Sequence, residues 1–303
     1  MQPRLILVEG LPGSGKSTTA VQIRYLLSQR YPERDVRLFE EGRSDHPADY
    51  EGFAYLTMKE WSALRNALPD WNERLERTSE AAENGRVLAY RRLDEQTDGP
   101  LPEEIWRAIA GRDVYELPLE LHMRLIADRW TSFALQAARE TNVVYVFECC
   151  FIQNPLTMAT IRCGEEPETV IGYVKRLEEI VLGLNPFVVY VDQRDLDFSF
   201  RKAVAERPRE WSEGFMAYYL QQGYGAAHVC GADRDGSARN DEERDITDTI
   251  AVLRARRELE EQILDRLNIP VLKADNSRYD EAERGDWLSG GLERFFGSGA
   301  AAE

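Results

Sequence analysis

The sequence predicts an α/β fold, a three-layer α/β/α arrangement around a five-stranded parallel sheet. Three observations carry this expectation. Five short apolar runs, residues 5–8, 36–39, 143–147, 187–191 and 269–272, are rich in β-branched and aromatic side chains. Segments with helical spacing separate them, and strands that alternate with helices build parallel sheets covered on both faces. Between the first run and the first helical segment lies Gly10-Leu11-Pro12-Gly13-Ser14-Gly15-Lys16-Ser17, which fits the phosphate-binding spacing G-x-x-x-x-G-K-[ST].

The first run, Leu5-Ile6-Leu7-Val8, is the kind of segment that makes a fully buried strand. After the glycines, Ala20, Ile23 and Leu27 recur at helical spacing until Pro32 stops the pattern. The glycines therefore mark a turn from strand into helix, where backbone N–H groups and the positive end of the helix dipole converge on an anion. Lys16 is expected to reach the β- and γ-phosphates of a nucleoside triphosphate, and the Ser17 hydroxyl to bind Mg²⁺.

The second run is followed by Glu40-Glu41. Strand alternation points these carboxylates to opposite faces, so one of them is expected to accept the proton of an attacking hydroxyl. Glu40, the first residue past Phe39, is the expected base. Residues 42–111 do not fit a minimal strand–helix alternation. Trp61, Leu64, Leu68, Trp71, Leu75, Ile105, Trp106 and Ile109 suggest an insertion of short amphipathic helices, with the tryptophans packing its interior. Leu121, Leu125 and Phe133 give the helix expected over 118–140 an apolar face, and Asp128-Arg129 on it either lines an acceptor pocket or forms a surface ion pair.

The third run ends in Glu148. An acid at the end of a buried apolar strand is costly without a cation or donor to serve, and beside a phosphate loop the natural client is Mg²⁺. The fourth run leads through Asp192-Gln193-Arg194 into Arg201-Lys202 and Arg207-Pro208-Arg209-Glu210. A planar guanidinium suits phosphate oxygens, so Arg201 and Arg207 are expected to act from a lid over residues 194–222. Residues 223–243, rich in Gly, Asp and Arg, read as a flexible loop. Asp233-Arg234-Asp235-Gly236 has the start of a calcium loop without its remaining ligands. Residues 300–303 are expected to fray, and residues 1–303 to form one elaborated domain.

Composition narrows the function classes. The formal net charge of −16 argues against a nucleic-acid-binding or anionic-membrane surface. No apolar run approaches a membrane span and no signal-peptide pattern precedes the first strand, so a cytoplasmic protein is expected. The four cysteines, Cys149, Cys150, Cys163 and Cys230, form no C-x-x-C pair and read as buried free thiols, with Cys149 and Cys150 pointing apart on a strand.

These residues together resemble the thymidylate-kinase and deoxynucleoside-kinase branch of the P-loop kinases. The resemblance rests on Glu9-Gly10 through Lys16-Ser17-Thr18, on Glu148, on Ala127-Asp128-Arg129, and on Arg207-Pro208-Arg209-Glu210 with Tyr218-Tyr219-Leu220. Cys149 stands where the family often carries arginine. The resemblance implies a P-loop NTPase fold with the phosphate-loop strand central, a helical lid bearing arginines, and Asp275-Asn276-Ser277 near the adenine. Residues 10–18 would hold ATP, with Ser17 and Glu148 on Mg²⁺. The expected activity is transfer of the γ-phosphoryl group of ATP to a hydroxyl or phosphate of a small molecule, with a nucleoside or nucleotide as the default acceptor. Two alternatives are a kinase of another hydroxyl compound, such as an antibiotic or sugar derivative, and an ATPase or switch acting on a protein partner.

Overall fold

The computed structural model describes residues 2–229 and 241–297. Cys230, Asp233-Arg234-Asp235-Gly236 and the 300–303 tail lie outside the described residues. The chain separates into two compact units, residues 1–41 with 134–303, and residues 42–133. In chain order the strands of the described residues are β1 (Leu5–Glu9), β2 (Asp35–Phe39), β3 (Ala54–Thr57), β4 (Ser79–Ala82), β5 (Gly85–Leu88), β6 (Val143–Glu148), β7 (Phe187–Asp192) and β8 (Val271–Asp275).

The first unit is α/β, built on a five-stranded sheet in the order β2-β6-β1-β7-β8 with every pairing parallel. Its strands and many helices are consistent with a three-layer α/β/α fold. Alternation along the strands gives two apolar faces, as parallel sheets require. Ile6, Val8, Val144, Val146, Val189 and Val191 pack on one face with Ala20, Ile23 and Leu27 of the helix Lys16–Arg30, and with Leu288, Leu292 and Phe296 of the helix Glu281–Phe296. Toward the other face, Tyr190 of β7 donates to Glu260 of the helix Asp241–Arg266 at 2.7 Å. From β1 the chain runs to β2 and β6 on one side and then to β7 and β8 on the other, and such a reversal opens a crevice beyond the strand ends.

The fifth strand begins at Val271 rather than at residue 269. The N–H of Ile269 is given to the buried carboxylate of Glu178 at 3.0 Å, and Pro270 has no N–H to offer a ladder. The ladder starts only after it, with Val188 opposite Val271. Cys149 also departs from expectation: it follows β6 rather than lying on it, at φ 69°. Cys149 and Cys150 are buried free thiols, whereas Cys163 is exposed. Residues 223–229 contain a short helix, Gly223–His228, and the helix Asp241–Arg266 has begun by residue 241. Among the described residues no helix is long and apolar enough to cross a membrane.

The second unit holds short helices, as its spacing predicts, and also an antiparallel sheet in the order β3-β5-β4 that the spacing does not reveal. Each of these strands has four residues, too few for alternation to stand out from helical periodicity. The helix Met58–Ala67 opens with a reciprocal cap between Thr57 and Glu60, and buries Trp61 and Leu64 against Leu75, Leu88 and Ile105. Trp61 packs inside as expected, but Trp106 remains 43% exposed. Arg129 pairs with Glu80, donates to the His46 carbonyl at 2.9 Å and lies over the rings of Tyr50 and Phe53, while Asp128 is exposed.

Candidate functional site

The site is built where β1 and β6 end. β1 runs into the Gly10–Ser17 loop, which turns directly into the helix Lys16–Arg30. Two glycines are sterically required. A Cβ on Gly10 would lie 2.4 Å from the Val191 carbonyl oxygen of neighbouring β7, and one on Gly15 (φ 94°) would lie 2.5 Å from Asn276 Nδ2. The loop is clamped from outside through its carbonyls. Asn276 Nδ2 donates to the Ser14 carbonyl at 2.8 Å, Gln193 Nε2 to the same oxygen at 3.3 Å, and the Tyr279 hydroxyl to the Gly13 carbonyl at 3.0 Å. With those carbonyls engaged from behind, the loop is held in a set shape.

A cavity of about 800 Å³ opens over this loop. Of the residues predicted to hold the nucleotide, Pro12, Gly13, Gly15, Lys16, Ser17 and Thr18 line it. Gly10, Leu11 and Ser14 do not. Gly10 lies against β7, the Leu11 carbonyl accepts from Lys16 Nζ at 3.1 Å, and Ser14 is buried. Lys16 is itself 6% exposed. Burial opposes its charge, but the acidic groups around it, the Glu41 and Glu148 carboxylates among them, hold its pKa above the ordinary value, so it remains an ammonium.

Glu148, 2% exposed at the end of β6, accepts from the Ser17 hydroxyl at 2.6 Å and from the Glu41 N–H at 3.4 Å. The two predicted metal ligands are therefore in direct contact. Both acids after β2 are exposed, but Glu41 lines the cavity and Glu40 does not. The expected alternation does not extend that far, because β2 ends at Phe39 and the chain turns. Glu41 is held from the far side by Gln153 Nε2 at 2.7 Å and by the Cys149 thiol at 3.3 Å.

Glu41, Glu148 and Cys149 present ligand atoms within 4.8 Å of one another. Burial drives the Cys149 pKa well above its ordinary value, so this sulfur is a neutral thiol donating to Glu41 rather than a thiolate ligand. What remains are hard oxygens, the Glu148 carboxylate and the Ser17 hydroxyl with the Glu41 carboxylate beside them, and the first two fit Mg²⁺. The left-handed backbone of Cys149 costs of order 1–3 kcal/mol in a non-glycine residue. The surrounding structure holds it there. The Cys149 N–H donates to the Val8 carbonyl at 3.1 Å, and the N–H groups of Phe151 and Gln153 donate to the two oxygens of buried Glu9 at 2.8 and 2.9 Å.

The far wall comes from the segment read as a lid, two helices spanning Leu196–Glu206 and Arg209–Leu220. The first is capped by Asp195, whose side chain accepts from the Phe198 N–H at 2.9 Å. Positions four apart fall on one helix face, so Trp211, Phe215 and Tyr219 form a continuous ridge with ring centres 5.1 and 4.2 Å apart. Arg207, one step earlier in the same spacing, places its guanidinium 4.1 Å from the centre of the Trp211 ring and lines the cavity. Arg201 does not line it. Its guanidinium is spent on Asp197 at 2.8 Å and on a two-pronged pair with Glu243 at 2.7 and 3.0 Å.

Sequence reasoning missed Gln153, Tyr279, Arg256 and most of the aromatic ridge. The i, i+4 recurrence of Trp211, Phe215 and Tyr219 was the available signal for the ridge. For Arg256 it was a charged residue in step with the apolar stripe Ile246, Ile250, Leu253 and Ile263. Set against models of known protein families and against curated proteins, the chain matches none.

Proposed function

We propose that the protein is an ATP- and Mg²⁺-dependent phosphotransferase of the P-loop type that phosphorylates a small molecule. The observation that carries this reading is the contact between Ser17 and Glu148 at the mouth of a glycine loop whose lysine shares the same cavity. The loop amides and Lys16 hold the triphosphate chain, and the oxygens of Ser17 and Glu148 hold the metal. Bound Mg²⁺ would neutralise charge on the phosphate oxygens. Glu41 takes the proton of the attacking hydroxyl, in place of the Glu40 expected from the sequence. Gln153 Oε1, buried and without a hydrogen-bond partner among the described residues, supplies an acceptor for that hydroxyl's neighbourhood. Arg207 meets charge on the transferring group from the exposed side.

The acceptor is a ring-bearing molecule, since the wall facing the loop is a stacked aromatic ridge. A nucleoside or nucleotide is the first candidate, and a hydroxylated ring compound of another class the second. The test is ADP release from ATP and Mg²⁺ across a panel of nucleosides, nucleotides and other ring-bearing alcohols. Acceptor-dependent release by the wild type, abolished in a folded Lys16→Ala protein, is the expected result. Near-normal turnover by Lys16→Ala removes the reading. Nucleotide hydrolysis that no acceptor stimulates favours an ATPase or switch instead.

A further inference from the structure

Arg256 is the buried group that the reaction outlined above leaves unused. It lies on the helix Asp241–Arg266, is 2% exposed, and lines the same cavity as Lys16. Its Nε donates to Glu260 at 2.8 Å, and its Nη1 donates to Thr157 Oγ1 at 3.1 Å and to the Tyr219 hydroxyl. Glu260 is fixed in turn by the Tyr190 hydroxyl at 2.7 Å. Thr157 opens a π-helical turn, Thr157–Arg162, a wide geometry that recurs at functional sites. Three acceptors therefore fix the guanidinium plane. Its Nη2 has no hydrogen-bond partner among the described residues. A buried donor left unmatched is costly, and a guanidinium fixed in its plane is prepared for an oxygen anion.

The charge on Arg256 also opposes that on Lys16, so two desolvated cations act on one space. Glu260 offsets part of the charge of Arg256 through Nε, and leaves the Nη2 hydrogens without an acceptor among the described residues. A pair of cations across a cavity is satisfied by an anion between them. We infer that Arg256 binds the terminal phosphoryl group of the nucleoside triphosphate through Nη2, a fixed arginine built into the core rather than carried on the lid segment. The inference rests on the phosphotransferase reading and deepens it. Loop amides serve a diphosphate and a triphosphate alike and Lys16 reaches both of the last two phosphates, whereas Arg256 is assigned only the terminal phosphoryl group that distinguishes them.

The test uses the full-length protein and two probes, Mg²⁺ complexes of ADP and of the β,γ-imido analogue of ATP, titrated by calorimetry. Arg256→Lys keeps the charge but loses the planar fork. It is expected to bind the diphosphate within about twofold of wild type and the triphosphate analogue about tenfold or more weakly. Thr157→Val loosens the same guanidinium without deleting it, and is expected to shift the ratio of the two affinities in the same direction. That variant decides the matter if Arg256→Lys does not fold. An unchanged ratio, or equal losses for both nucleotides, overturns the inference. If the wild type binds neither nucleotide, the phosphotransferase reading falls first and this inference falls with it.

Discussion

Glu41 accepts from Gln153 and Cys149 at the cavity, while Glu40 beside it does not line the cavity. A general base must be held within reach of the proton it takes, and of these two acids Glu41 is the one that lines the cavity. Glu41→Gln is therefore expected to lower kcat by about 10²–10⁴-fold, whereas Glu40→Gln should stay within about 0.5 kcal/mol of wild type in stability and leave rates unchanged. Steady-state kinetics of the two variants, with circular dichroism to confirm folding, decide between them, and the reverse ranking would move the base assignment back to Glu40. Glu148 makes a separate prediction. Its carboxylate is buried against Ser17, so Glu148→Gln keeps the shape and a hydrogen bond but removes the charge assigned to Mg²⁺. The dependence of activity on Mg²⁺ should move to higher concentration, with a lower maximal kcat. Intact activity with an unmoved Mg²⁺ curve would leave Glu148 a structural acid.

The helices at the far wall show how spacing decides which arginine acts. Arg201 and Arg207 lie six residues apart in the sequence, and the sequence reading gave both the same role. Arg201 falls four residues after Asp197 on the helix Leu196–Glu206, so helical geometry pairs the two, and Glu243 takes up the rest of its donors. Arg207 lies past the end of that helix and stacks on Trp211, a contact that leaves its N–H groups available to the cavity. Arg207→Ala is expected to lower kcat with a modest change in the KM for ATP, because a donor to the transferring group matters more in the transition state than in the ground state. Arg207→Lys should rescue poorly, since an ammonium neither stacks nor forks as a guanidinium does. Arg201→Ala should leave kcat unchanged and weaken only exposed ion pairs, worth about 0–1 kcal/mol. Equal kinetic losses for both variants would show that the segment acts as one unit. The strands and the loop were legible because apolar runs and glycine spacing are local signals. The pairing of Arg201 with Glu243, forty-two residues away along the chain, is not a local property.

Across the whole molecule, what the sequence concealed follows from the same division. The parallel sheet could be read because its strands are buried on both faces and appear as unbroken apolar runs. The β3-β5-β4 sheet could not, because four-residue strands carry too little pattern. The burial of Arg256, Glu178 and Glu9 escaped for a further reason: it is tolerated through partners from distant segments. Glu9 carries the last prediction. It is 1% exposed, and burial pushes its pKa from 4.5 to about 7, while the N–H groups of Gln153 and Phe151 pull in the opposite direction. In the unfolded chain this carboxyl loses its proton near its ordinary value, and in the folded protein it keeps the proton until about pH 7. Between those limits the folded state binds more protons than the unfolded state, so the contribution of Glu9 to stability is full at acid pH and declines as pH rises. The size of the shift corresponds to about 3 kcal/mol, with no further loss once both states are ionised. Glu9→Gln cannot titrate. Urea unfolding of wild type and variant at intervals from about pH 4 to pH 8 should show the wild-type advantage shrinking by roughly that amount, most steeply between about pH 5 and pH 7. A constant difference across the range would mean that Glu9 ionises in the folded protein as it does in the unfolded chain. The two backbone bonds it accepts would then outweigh the cost of burying its charge.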